Sequence, residues 1–136
     1  MSAQKKPRPA NKSKPAASLV WFEIPADNLN RAKKFYSALF GWKIKAFPGM
    51  KDYLHIDTGG ADTTLDGGLM ARKHPAQPIT NYVNVPSVIK AMAKVEKLGG
   101  IVCVPKMPVP QMGYFAVCQD TENNTFALWE TDPDAK

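Results

Sequence analysis

A chain of 136 residues, 44% hydrophobic and 22% charged, has room for one domain at roughly 100–200 residues per domain and the balance of a soluble globular protein. No apolar run approaches the ~18 residues that span a bilayer, and two cysteines, Cys103 and Cys118, are too few for a disulfide-stapled scaffold, so the expected compartment is the reducing cytoplasm. The formal charge of +6 is uneven: residues 1–17 hold Lys5, Lys6, Arg8, Lys12 and Lys14 and no acid, while the remainder holds 13 basic and 12 acidic side chains.

Residues 1–17 contain Pro7, Pro9 and Pro15 but no aromatic or β-branched residue, so they cannot bury enough apolar surface to offset their ordering entropy. They read as a disordered basic tail. An apolar stretch of about 7–15 residues is missing, which argues against a secretory signal, and the prolines interrupt any amphipathic transit helix. Such an arm could touch nucleic acid or anionic lipid. Without aromatics to stack on bases, the simpler reading is a solvated tail, with neither nucleic acid nor membrane as a partner.

From Ser18 the pattern alternates between strands and helices. Leu19–Ile24 is an apolar, β-branched and aromatic run ending at Pro25, which suits a strand. Asp27 or Asn28 can cap the helix that follows. Leu29, Ala32, Phe35, Tyr36 and Leu39 then give it one apolar face, and Gly41 ends it. Trp42–Phe47, Asp52–Thr58 and Gly67–Arg72 are strand candidates, separated by Pro48-Gly49 and Gly59-Gly60.

The second half repeats this order. Thr80–Val85 is a strand, Pro86-Ser87 supplies a cap, and a helix from about Val88 to Leu98 buries Val88, Met92 and Val95 before Gly99-Gly100. Ile101–Val104, Tyr114–Gln119 and Thr125–Glu130 complete it. Each unit is too small to bury its sheet face alone, so both should pack into one domain. Residues 18–131 are that domain, with modules of about 18–73 and 79–131, a short proline-bearing joint at His74–Pro78, and 132–136 as a tail.

Phe22-Glu23-Ile24-Pro25-Ala26-Asp27, Ala32-Lys33-Lys34-Phe35-Tyr36 and Phe40-Gly41-Trp42 together resemble the opening of vicinal-oxygen-chelate proteins. That superfamily includes glyoxalase I, bleomycin-resistance proteins and extradiol dioxygenases. Asp120-Thr121-Glu122-Asn123-Asn124-Thr125-Phe126 resembles its closing hairpin, usually Asp-Pro-(Asp/Glu)-Gly-Asn-x-Phe. The run from Pro105 to Gly113 resembles a loop of a glyoxalase-like branch. Asn123 stands where the family usually has glycine, and asparagine tolerates the positive φ such a turn needs. The resemblance spans about Ser18 to Glu130. It implies an α+β fold in which two βαβββ modules form a concave mixed sheet with helices outside, and it implies a homodimer.

The resemblance also implies a divalent metal in the concavity, held by His, Gln or Glu on the first and last strands of each module. Carried onto this chain, those positions are Leu19, Gly68, Thr80 and Ala127. Three offer no ligating atom and the fourth only a hydroxyl, so no metal or other cofactor is expected.

Alternation along strands puts Val20, Phe22 and Ile24 under the helices and Leu19, Trp21 and Glu23 in the cup. It likewise sends Thr80, Tyr82, Asn84, Ala127 and Trp129 into the cup. Tyr53, His55 and Asp57 share one face. The expected site is an aromatic concavity of Trp21, Tyr82 and Trp129 with Glu23, Thr80, Asn84 and His55 as polar groups, a composition typical of small-molecule sites. The aromatics could hold a flat or cationic ligand, with Glu23 as counter-charge. Plainer roles stand beside these: sheet core for the tryptophans, a rim ion pair for Glu23, and a satisfied strand histidine for His55. Cys103 and Cys118 read as buried inert thiols, Met107 and Met112 as parts of a mobile proline-rich loop, and Lys90, Lys94 and Lys97 as a solvated helix face. The leading expectation is a metal-free binding protein. The alternative is a lyase, isomerase or dioxygenase using a recruited metal or Glu23 as acid–base catalyst.

Overall fold

The computed structural model describes residues 17–60 and 65–136, and the basic tail lies almost wholly outside them. In chain order the elements are β1 (Leu19–Ala26), α1 (Leu29–Phe40), β2 (Lys43–Ala46), β3 (Tyr53–Asp57) and β4 (Gly67–Ala71), then β5 (Thr80–Asn84), α2 (Val88–Lys97), β6 (Ile101–Val109), β7 (Gly113–Gln119) and β8 (Thr125–Thr131). This is the expected βαβββ unit, twice.

The strands form one sheet in the order β2-β3-β4-β1-β5-β8-β7-β6. Within each module the first strand runs parallel to the last, β1 beside β4 and β5 beside β8. The modules join through the antiparallel β1–β5 pair, where Trp21 faces Tyr82 and Glu23 faces Thr80. Each helix covers the outer face of its own module. Ile24, Ala26, Ile44, Ile56 and Leu69 form one core against Leu29, Ala32 and Tyr36 of α1, while Val88, Ala116, Cys118 and Leu128 form the other against Ala91, Met92 and Val95 of α2.

Local chemistry sets the helix ends. The Asn28 side chain accepts from the Arg31 N–H and the Ser87 side chain from the Lys90 N–H, each satisfying a donor of the first turn. Gly41 closes α1 at φ 74°, a left-handed conformation that costs glycine little. Asn123 has φ 67°, as expected of the residue in that turn.

Several expectations need correction. Phe35 and Leu39, assigned to the apolar face of α1, are 59% and 57% exposed. Only Leu29, Ala32 and Tyr36 reach the sheet, a narrower contact than the periodic stripe suggests. The proline-rich segment is not a free loop: β6 runs through Pro105 and Pro108 to Val109, and Met107 pairs with Phe115. Both prolines are tolerated because β6 is an edge strand and its register shifts twice. The remaining connection, Pro110–Met112, is fastened by the last residues of the chain. Gln111 N–H donates to the Ala135 carbonyl at 2.9 Å, Asp132 N–H donates to the Met112 carbonyl at 2.9 Å, and Ala135 is buried, so residues 132–136 are not a loose tail. Cys118 is buried as expected, but Cys103 is exposed.

Candidate functional site

The concave face encloses a cavity of about 1790 Å³, lined from both modules. Near the junction of the modules a chain of hydrogen bonds converges on one carboxylate. Tyr53 on β3 donates to Glu23 Oε2 at 2.7 Å, and Tyr82 on β5 donates to Glu23 Oε1 at 2.7 Å. Trp21 Nε1 in turn donates to the Tyr53 hydroxyl at 2.8 Å. Burial, and then the negative charge of Glu23, push both phenols well above the ordinary tyrosine range, so they remain protonated donors.

Aromatic packing surrounds this chain. The His55 ring stacks on Trp21 with centroids 5.7 Å apart and 7° between planes, and Phe47 stands edge-on to Trp21, Tyr53 and His55. On the other module Phe115 packs near Tyr82, at 6.4 Å. Trp129 lies over Gly113, where an added Cβ would run into its indole ring. His55 Nε2 meets Asp66 Oδ2 at 3.2 Å.

The internal repeat identifies equivalent positions. Trp21 stands seven residues before the N-cap Asn28, and Thr80 seven before the N-cap Ser87. Their pairing agrees: Trp21 faces Tyr82 and Glu23 faces Thr80, so Trp21 is equivalent to Thr80 and Glu23 to Tyr82. Glu23 also pairs with Gly68 and Tyr82 with Ala127, which makes Gly68 and Ala127 equivalent. The first-strand position implied by the resemblance is therefore Trp21, not Leu19. The equal seven-residue spacing to the N-cap in both modules marks it. The register of β1 against β5 shifts between Leu19 and Trp21, and Val20, expected under the helices, lines the cavity.

The four positions that converge on the cup, Trp21, Gly68, Thr80 and Ala127, provide one hydroxyl between them, and that hydroxyl points at the Pro78 carbonyl at 3.4 Å. At Gly68 the phenol of Tyr53 fills the space of a side chain, since an added Cβ would overlap it. Among the described residues no group of three His, Cys, Asp or Glu side chains is arranged to hold a metal ion. The donor set does not fit the family's divalent metal.

Of the residues singled out from the sequence, Trp21, Glu23, His55, Thr80, Tyr82 and Trp129 all line the cavity. Asn84 does not: it pairs with Trp129 at the far end of β5, and its N–H donates to the Ser18 carbonyl. Asp57 also turns away, its side chain accepting from the Gly59 N–H at 2.8 Å. Sequence reasoning missed Tyr53 as a partner of Glu23, and it missed Phe47 and Phe115 as walls. Alternation with His55 was the available signal for Tyr53. Its contact with Glu23, 30 positions away, had none.

A family model described as bleomycin resistance protein-like N-terminal matches residues 18–59. The chain is 32% identical over 114 residues to a glyoxylase-like domain-containing protein of Didymella fabae, across 78% of this chain and 88% of that protein. It is 28% identical over 124 residues to a Mycobacterium bovis protein, covering 82% of this chain but spanning only 45% of that protein's length. The solved structure of a glyoxalase/bleomycin resistance protein/dioxygenase superfamily member from Vibrio splendidus 12B01 matches with a TM-score of 0.61 over 85% of this chain and 99% of that one, at 12% identity. This chain belongs to the vicinal-oxygen-chelate superfamily, in its glyoxalase/bleomycin-resistance-like family.

Proposed function

We propose that the cup binds a small organic molecule, with Glu23 as its polar anchor and the aromatic walls as its contact surface, and that binding needs no divalent metal. The observation that carries this reading is the carboxylate of Glu23 held between Tyr53 and Tyr82 at 2.7 Å each. A metal bound there would compete with both phenols for the carboxylate, and the neighbouring positions add no ligand to compensate. Broad apolar walls with a few convergent polar groups are what small-molecule recognition requires. Both carboxylate oxygens already accept a hydrogen bond, so the group is fixed in place, as an anchor should be.

The test is a thermal-shift screen of organic compounds in the presence of EDTA. A ligand at a hundredfold excess over Kd raises stability by about 2.7 kcal/mol. The reading expects stabilising compounds whose effect falls in Glu23→Gln. Stabilisation seen only when a divalent metal is added, or a compound converted to product at a rate that Glu23→Gln abolishes, would overturn it in favour of an enzyme.

A further inference from the structure

Hydrogen-bonding capacity immediately around Glu23 is one-sided. Trp21 Nε1–H is spent on Tyr53, the Tyr53 and Tyr82 hydroxyls are spent on Glu23, and Trp129 Nε1–H is spent on the Thr131 hydroxyl at 3.0 Å. The Thr80 hydroxyl faces the Pro78 carbonyl. What remains open around the carboxylate is therefore acceptor capacity: the further lone pairs of Glu23 and those of Tyr82 and Thr80. Charge points the same way. Among the described residues the ion pairs are His55 with Asp66 and Arg72 with Asp27, so no lysine, arginine or histidine neutralises Glu23. Lys45, Lys73 and His74 also line the cavity, but they are exposed at its margin and none is paired with Glu23. A ligand that brought only acceptors would desolvate this group without pairing it, which is costly.

The walls on the second module are of another character. Phe115, Val117, Ala127 and Trp129 occupy the positions equivalent to Tyr53, His55, Gly68 and Met70, as the matched pairings of β3 with β4 and β7 with β8 require. Phe115, Val117 and Trp129 line the cavity, so where the first module has Tyr53, His55 and Met70 the second presents an apolar stretch, with its polar lining residues, such as Gln119 and Asn124, elsewhere.

We infer that the ligand is an organic cation with N–H donors, such as an ammonium, amidinium or guanidinium, carried on a flat apolar body. The N–H head donates to Glu23 and Tyr82, and the body lies against Phe115 and Trp129. This rests on the cup being a binding site and adds the class of ligand it takes.

Calorimetric titration of the full chain with tryptamine, tryptophol and indoleacetate tests it, because the three share one aromatic body and differ in charge. The expected order is tryptamine tightest, by roughly tenfold or more over tryptophol, and indoleacetate weakest. In Glu23→Gln the advantage of tryptamine collapses while tryptophol is little changed. Tyr82→Phe provides a second check if Glu23→Gln does not fold, and it also lowers the affinity for tryptamine selectively. Equal or tighter binding of tryptophol or indoleacetate overturns the cation while leaving the cup a binding site. So does an advantage of tryptamine that survives both substitutions. No binding of any of the three at about millimolar concentration overturns the cation too, and the screen in EDTA then decides separately whether the cup binds organic molecules.

Discussion

Tyr82 donates to Glu23 Oε1 at 2.7 Å across 59 positions of sequence, so a strand of the second module grips the carboxylate of a strand in the first. The contact ties the modules together at the centre of the sheet, and it does so where the family resemblance implies a metal. A hydrogen bond to a charged group contributes about 1.5–3 kcal/mol. Tyr82→Phe is expected to lower unfolding free energy by about that amount without changing the far-ultraviolet circular dichroism. Urea denaturation measures it, and an unchanged midpoint would mean the bond is not made in solution.

Alkaline pH should expose the same pair. Burial and the charge of Glu23 hold Tyr53 and Tyr82 above their ordinary value of 10.0. The folded state keeps protons that the unfolded chain releases, so this contribution is complete below that ordinary value and is lost as pH rises above it. Urea midpoints are expected to fall from pH ~9 to pH ~11, and the double variant Tyr53→Phe, Tyr82→Phe to flatten that fall. An identical slope in the variant would contradict the assignment.

Gly68 leaves room for the Tyr53 ring, because an added Cβ would overlap the phenol. Gly68→Ala is expected to cost about 1–3 kcal/mol, the usual penalty for overpacking, and to break the bond to Glu23 as the ring swings away. In a Tyr53→Ala background the same substitution should cost little, giving a coupling energy in a double-mutant cycle. Additive effects would show that the phenol does not lie over this glycine.

The fold was legible from the chain because its signals are local and occur twice. Strand alternation, the caps at Asn28 and Ser87, and the glycine stops recur in the same order, and alternation correctly put Trp21, Glu23, Tyr82 and Trp129 on one face. What stayed hidden depended on geometry between distant segments. The register of β1 shifts after Leu19 and Val20 lines the cavity, and no composition rule marks either. Phe35 and Leu39 fit the helical stripe of α1, yet periodicity describes a face without saying how much of it the sheet covers. Prolines at 105 and 108 read as a loop because their tolerance depends on β6 being an edge, which only the sheet order reveals. The Tyr53–Glu23–Tyr82 arrangement joins three strands and needs all of them in register.

The end of the chain should matter to the cup's rim. Ala135 accepts from the Gln111 N–H, and Gln111, Met112 and Pro133 line the cavity. Deleting residues 133–136 is expected to speed amide hydrogen exchange at Gln111 by tenfold or more, equivalent to about 1.4 kcal/mol of local protection, with global stability little changed. Unchanged exchange would show that the terminal residues do not hold this turn.

We propose that a tyrosine-held carboxylate, and not a divalent metal, organises the cup. Titrating the untagged full chain with nickel, zinc, manganese and iron(II), by calorimetry and by melting temperature, tests it most directly. We predict no stoichiometric binding and no rise in Tm for any of the four. One metal bound per chain, with a rise in Tm that Glu23→Gln abolishes, would contradict it.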